Sequence, residues 1–168
     1  MASLNPRTYL IRQLRQRHSE LSTLSDAELN AVIDYTKNST AFNHPSKPHH
    51  HALRTTLDGA LQKLPPYQGK ILYHFVPRGR DEASLKLGAD YQAKSFLSAS
   101  KAASAVGERG SKTEWVIHLR DTESRARDIS AYSAYPSEQE VLYLPNTSFK
   151  VIKISAAVGG RRIFLEEI

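Results

Sequence analysis

Apolar residues recur at two different spacings along the chain, and the change from one to the other falls just after Pro65-Pro66. Before that point the spacing is helical. Between Pro6 and about Ser19, Leu10, Ile11 and Leu14 form a short apolar stripe among arginines, the pattern of a basic amphipathic helix. Ser25-Asp26-Ala27-Glu28 has the capping-box arrangement, and Leu29, Val32, Ile33 and Thr36 follow at helical spacing, so a second helix is expected to about Tyr35. Lys37 to Pro48 reads as a loop, because Asn38, Asn43, Pro45 and Pro48 favour turns. His49, His50 and His51 read as solvated loop residues. Leu53, Leu57, Ala60, Leu61 and Leu64 mark a third helix, which the two prolines stop.

After the turn Tyr67-Gln68-Gly69, every strongly apolar segment is short and rich in β-branched or aromatic residues. Strands are expected at 70–76, 95–97, 115–119, 141–144, 149–154 and 162–165, with a short helix from about Lys101 to Ala105. Pro145-Asn146 and Gly159-Gly160 are read as hairpin turns between the strands that they separate. The pattern predicts an α+β fold, with a helical N-terminal lobe over residues 1–64 packed on a mixed or antiparallel two-sheet β core over 65–168. A chain of 168 residues suits a single domain able to bury its own core.

Composition removes several kinds of chemistry from consideration. Without cysteine the chain has no disulfide framework, no thiolate metal site and no cysteine nucleophile. Three adjacent histidines do not have the three- or four-residue spacing that directs metal ligands from a helix, so no metal is expected. No run of roughly 18 apolar residues occurs, so a soluble protein without membrane insertion is expected. The net charge of +6 favours an anionic partner.

Three polar features punctuate the β half. His74 and Arg78 share parity along one strand, and an arginine beside Gly79 can reach a phosphate with its forked donors. Phe96-Leu97-Ser98-Ala99-Ser100 presents two hydroxyls on one face, able to orient a carboxylate or to cap a following helix. Glu138 and Glu140, two apart in an extended reading, aim two carboxylates one way at the start of an apolar strand. Like charges that close disfavour joint ionisation, a device for holding an acid or base at a useful pKa. A basic site with two carboxylates and no metal suits cleavage of a glycosidic bond in an anionic molecule.

Arginine at a strand end, then F-x-S-x-S, then E-x-E opening a strand resembles the Arg-Ser-Glu class of mono-ADP-ribosyltransferases, which includes bacterial toxins. The likeness extends to Leu24–Asn43, Leu64–Tyr73, Gly88–Ser100 and Asp128–Val151, stretches spread across about three quarters of the chain.

The resemblance implies an NAD-dependent enzyme that transfers ADP-ribose to an arginine of a target protein and releases nicotinamide. NAD would be the substrate and no metal would be needed. It makes Glu140 the catalytic carboxylate, bonded to the ribose 2′-hydroxyl, with Ser98 holding it and Ser100 beside the cofactor. Arg78 would grip the pyrophosphate, with His74 as the alternative, since the family's arginine usually follows the strand tyrosine directly and here His74 follows Tyr73. Glu138 and Tyr135 would engage the acceptor. Ala99 stands where threonine is usual. The same resemblance implies a delivered toxin or effector acting in a target cell's cytoplasm and neutralised by an acidic immunity protein. RNA is the alternative acceptor, and an inactive nucleic-acid or partner-binding module is the alternative function.

Overall fold

The computed structural model describes residues 5–44, 47–77, 85–103, 112–157 and 160–168, which fall into two compact units. The first contains the helices together with Tyr132–Ala134. Helix α1 (Pro6–Arg17) starts with Pro6 in its first turn, and the Asn5 side chain accepts the Arg7 N–H at 2.8 Å. It buries Ile11 and Leu14 and leaves Leu10 exposed. Helix α2 (Asp26–Lys37) carries the expected capping box: Glu28 N–H donates to Ser25 Oγ at 3.1 Å, and Ser25 N–H donates to Glu28 at 2.9 Å. Its apolar face, Leu29, Val32, Ile33 and Tyr35, is fully or almost fully buried.

The loop expected over Lys37 to Pro48 contains a one-turn helix, α3 (Thr40–Asn43), closed on buried Phe42. The histidines are not loop residues. Helix α4 (Pro48–Lys63) begins at Pro48, expected in the loop, and His49, His50 and His51 form its first turn. Proline is tolerated at that position because the N–H it lacks has no helical partner there. His50 Nδ1 accepts the Lys47 N–H at 3.4 Å, in the place a glutamate takes in a capping box. The late segment Tyr132–Ala134 joins this unit through Tyr132 Oη donating to Glu20 and Ala134 N–H donating to Thr36 Oγ1 at 3.1 Å.

The second unit is a mixed sheet of strands β1 (Ile71–Pro77), β2 (Asp90–Ala93), β3 (Leu97–Ser100), β4 (Lys112–His118), β5 (Ala126–Asp128), β6 (Glu140–Tyr143), β7 (Thr147–Ala157) and β8 (Gly160–Glu167). Their order is β2-β7-β8-β4-β1-β3-β6-β5, antiparallel except for the parallel pair β4–β8. The two sheets expected from the sequence are two halves of this array, joined between β1 and β3 by the one register pair Tyr73↔Ser100. One face buries Leu72, Trp115, Ile117, Val141, Tyr143, Phe149, Val151, Ile163 and Leu165 in a continuous core.

Two expectations in this half need correction. The serines lie within β3 and not after it, because the strand begins at Leu97 and pairs with β6 through Ser100. Pro145-Asn146 is a turn, with Asn146 at φ 66°, but not a hairpin: β6 pairs with β3 and β5, whereas β7 pairs with β2 and β8. Of the short helix expected at Lys101–Ala105, Ala103 is in 3-10 conformation and Ser104 and Ala105 lie outside the described residues. Strands β2 and β5 had no signal, being three or four residues long and polar at one end. The closing turn of β7 and β8 includes Gly159, outside the described residues. No helix among the described residues is long and apolar enough to cross a membrane.

Candidate active site

The β3–β6 ladder brings the candidate residues together. Its register sets Ser100 opposite Glu140 and Ser98 opposite Leu142, so Ser98, Ser100 and Glu140 share one face. Leu97, Ala99, Val141 and Tyr143 take the other face, in the core. Alternation along two short strands therefore separates the polar site from the apolar interior.

Ser98 Oγ donates a short hydrogen bond to Glu140 Oε2. Glu140 is 6% exposed, and burial holds its pKa above the usual carboxylate range. The Ser98 bond opposes that rise, and the nearby charge of Glu138 adds to it. The Ser100 hydroxyl accepts the Ala102 N–H at 3.2 Å and lies 2.8 Å from the Glu138 carbonyl, to which it can donate.

Glu138 and Glu140 do not point one way along an extended strand. Glu138 ends a single 3-10 turn, Pro136–Glu138, and Gln139 follows in the left-handed conformation at φ 48°, ψ 48°. The i, i+2 rule does not apply across such a kink. Glu138 is consequently exposed while Glu140 is buried at the start of β6. Tyr135, which precedes the turn, is 53% exposed, and its carbonyl accepts the Glu138 N–H at 3.1 Å.

His74 has the parity of Leu72 and Val76, both in the core, and its ring lies 4.9 Å from that of Trp115. Its Nδ1 is 2.6 Å from the Ser98 carbonyl, which can only accept, so Nδ1 carries the hydrogen. Burial pushes the His74 pKa down, against the pull of that hydrogen bond. The ring is neutral near pH 7, and it buttresses the serine strand through its backbone. Arg78 lies outside the described residues. Among the described residues no group of three or more His, Cys, Asp or Glu could hold a metal ion.

A buried carboxylate held by a serine, next to an exposed carboxylate on a kinked loop, can stabilise positive charge on one molecule and leaves a second carboxylate open to another. A family model described as NAD:arginine ADP-ribosyltransferase matches residues 11–168. The chain belongs to that family. Among curated proteins, the NAD(+)--protein-arginine ADP-ribosyltransferase Tre1 of Serratia proteamaculans is 26% identical over 162 residues, covering 91% of this chain. The chain spans about a third of that relative, 35% of its length.

Solved structures of ADP-ribosyltransferases share the fold. The Vibrio splendidus toxin Vis, in its complex with agmatine, matches with TM-score 0.70 and 20% identity, over 100% of this chain and 88% of Vis. The type III effector XopAI of Xanthomonas axonopodis pv. citri matches with TM-score 0.76 and 23% identity, over 96% and 75%. The Clostridium limosum C3 exoenzyme matches with TM-score 0.75 and 16% identity, over 100% and 97%. Within the family frame, the serine motif, the E-x-E loop and the histidine all lie in the sheet unit, around the seam where β1 meets β3.

Proposed function

We propose that the chain is an NAD-dependent mono-ADP-ribosyltransferase, the catalytic part of a toxin or effector, which transfers ADP-ribose to an arginine of a target protein. The observation that carries this reading is the buried Glu140 carboxylate held by Ser98, with Glu138 exposed two residues before it on the same loop. Glu140 would accept the hydrogen of the ribose 2′-hydroxyl and stabilise positive charge as the bond from the anomeric carbon to nicotinamide breaks. A guanidinium nitrogen of the acceptor would form the new bond to that carbon and lose a proton. Glu138, a planar carboxylate matched to the guanidinium fork, would hold the acceptor and take up that proton. Exposed Tyr135 would pack on its stem.

The neutral His74, with its N–H committed to the serine strand, favours leaving the pyrophosphate to Arg78. The name of Tre1 and the agmatine bound to Vis support an arginine acceptor, because agmatine carries the arginine guanidinium. A delivered effector of this kind needs neutralising in the cell that makes it, and an acidic immunity protein would suit a chain of net charge +6.

Incubation of the protein with labelled NAD and a cell lysate tests the acceptor. Label is expected on protein, resistant to RNase, and peptide mass spectrometry should place ADP-ribose on arginine. Label removed by RNase would overturn the protein-arginine reading in favour of RNA. Ser98→Ala should slow NAD cleavage about tenfold, and its acid limb should move to higher pH. The sign follows from the Ser98 bond, which lowers the Glu140 pKa in the wild type. An unshifted pH profile would remove Ser98 from the site.

A further inference from the structure

The backbone of Glu138-Gln139-Glu140 is fastened carbonyl by carbonyl. Ser100 Oγ lies 2.8 Å from the Glu138 carbonyl, Lys101 N–H donates to that of Gln139 at 3.1 Å, and Ile129 N–H donates to that of Glu140 at 3.2 Å. These donors come from two segments far apart in sequence, the end of β3 with the residue after it and the residue that follows β5. One side chain ties the two segments together. Lys101 Nζ lies 2.6 Å from Asp128 Oδ2 and 3.0 Å from Ser130 Oγ. Asp128 Oδ1 in turn accepts the Ser130 N–H at 3.0 Å and the Ser130 hydroxyl at 2.6 Å.

The two glutamates depend on this fastening to different degrees. Glu140 is also held by the β6 ladder and by Ser98, whatever happens at Lys101. Glu138 and Gln139 precede the strand and are exposed, and Gln139 sits in a left-handed conformation that a residue with a side chain keeps only when its surroundings fix it. Two of the fastenings, those of Glu138 and Gln139, come from Ser100 and Lys101. We propose that Lys101 and Asp128 form a positioning pair for the acceptor step. They hold the turn that carries Glu138 in place relative to Glu140 and touch neither NAD nor the acceptor. This inference rests on the arginine-transfer reading.

Lys101→Met and Asp128→Asn test it, each assayed for hydrolysis of NAD by water and for ADP-ribosyl transfer to agmatine. The expected result is transfer reduced about tenfold, from misplacement of the acceptor carboxylate, with hydrolysis within about twofold of wild type. Lys101→Arg, which keeps the charge, should recover most of the transfer-to-hydrolysis ratio. Melting temperatures should stay within about 3 °C, since a partly exposed ion pair adds little to stability. A ratio unchanged in both variants, or transfer and hydrolysis falling together, overturns the pair's role. A wild-type protein that hydrolyses NAD but transfers nothing to agmatine overturns the arginine reading itself, and this inference with it.

Discussion

Glu140→Gln will give a folded protein that cleaves NAD at least about a hundredfold more slowly than the wild type. Glutamine preserves the shape of the side chain and can still meet Ser98, so the loss isolates the charge. That charge matters because it is buried: at 6% exposure little water screens it from positive charge developing on the ribose. The same burial makes the carboxylate costly to the folded state. Its pKa is raised in the fold, so its contribution to stability is fully present below the unfolded value, near 4.5, and is lost as pH rises through the folded value. Above that point ionised Glu140 is a net cost, which glutamine removes. The variant should therefore melt at or above the wild-type temperature at pH 7.5, with the gap closing toward pH 4. NAD cleavage at the wild-type rate would show that Glu140 is not the catalytic carboxylate.

Glu138→Gln should act on the other half of the reaction. Transfer to agmatine is expected to fall at least about a hundredfold, because an amide gives the guanidinium neither the charge nor the paired acceptors of a carboxylate. Hydrolysis by water should persist with an altered pH profile. Glu138 is one of the causes that raise the Glu140 pKa, so neutralising it lets Glu140 ionise at lower pH, and the acid limb should move down. Ser98→Ala moves the same limb up. Opposite shifts from two neighbours of one carboxylate are hard to produce by general loosening of the site. Retained transfer to agmatine would remove Glu138 from acceptor recognition.

The sequence was most informative where local chemistry decides structure. The capping box at Ser25 and Glu28, the apolar face of α2 and the parity of Ser98 with Ser100 are all read from neighbours in the chain, and the structure has them. It was least informative where a distant partner decides. Nothing near Pro145 says that β6 and β7 diverge to different neighbours, and Asp90–Ala93 is a strand only because β7 lies beside it. The extended relation expected of Glu138 and Glu140 fails at Gln139, a left-handed residue that is neither glycine nor asparagine and so leaves no local signal. Lys101 and Asp128 were not candidates at all, since their only signal is the contact between them. His74 was singled out for a phosphate, but its burial against Trp115 and its bond to Ser98 depend on three strands at once.

The parallel pairing of β8 with β4 has a bearing on how the sheet is assembled. Residues 160–167 follow every other strand in sequence, yet β8 lies inside the sheet, between β7 and β4. Strand β1 is held by β4 along its full length and reaches the serine strand through a single register pair. During synthesis, the strands bearing Ser98 and Glu140 both emerge before the one that completes the centre of their sheet. Such non-local pairing is slow to form. Catalytic competence should therefore appear only after β8 has inserted, and a nascent chain should pass through an inactive, protease-sensitive interval first.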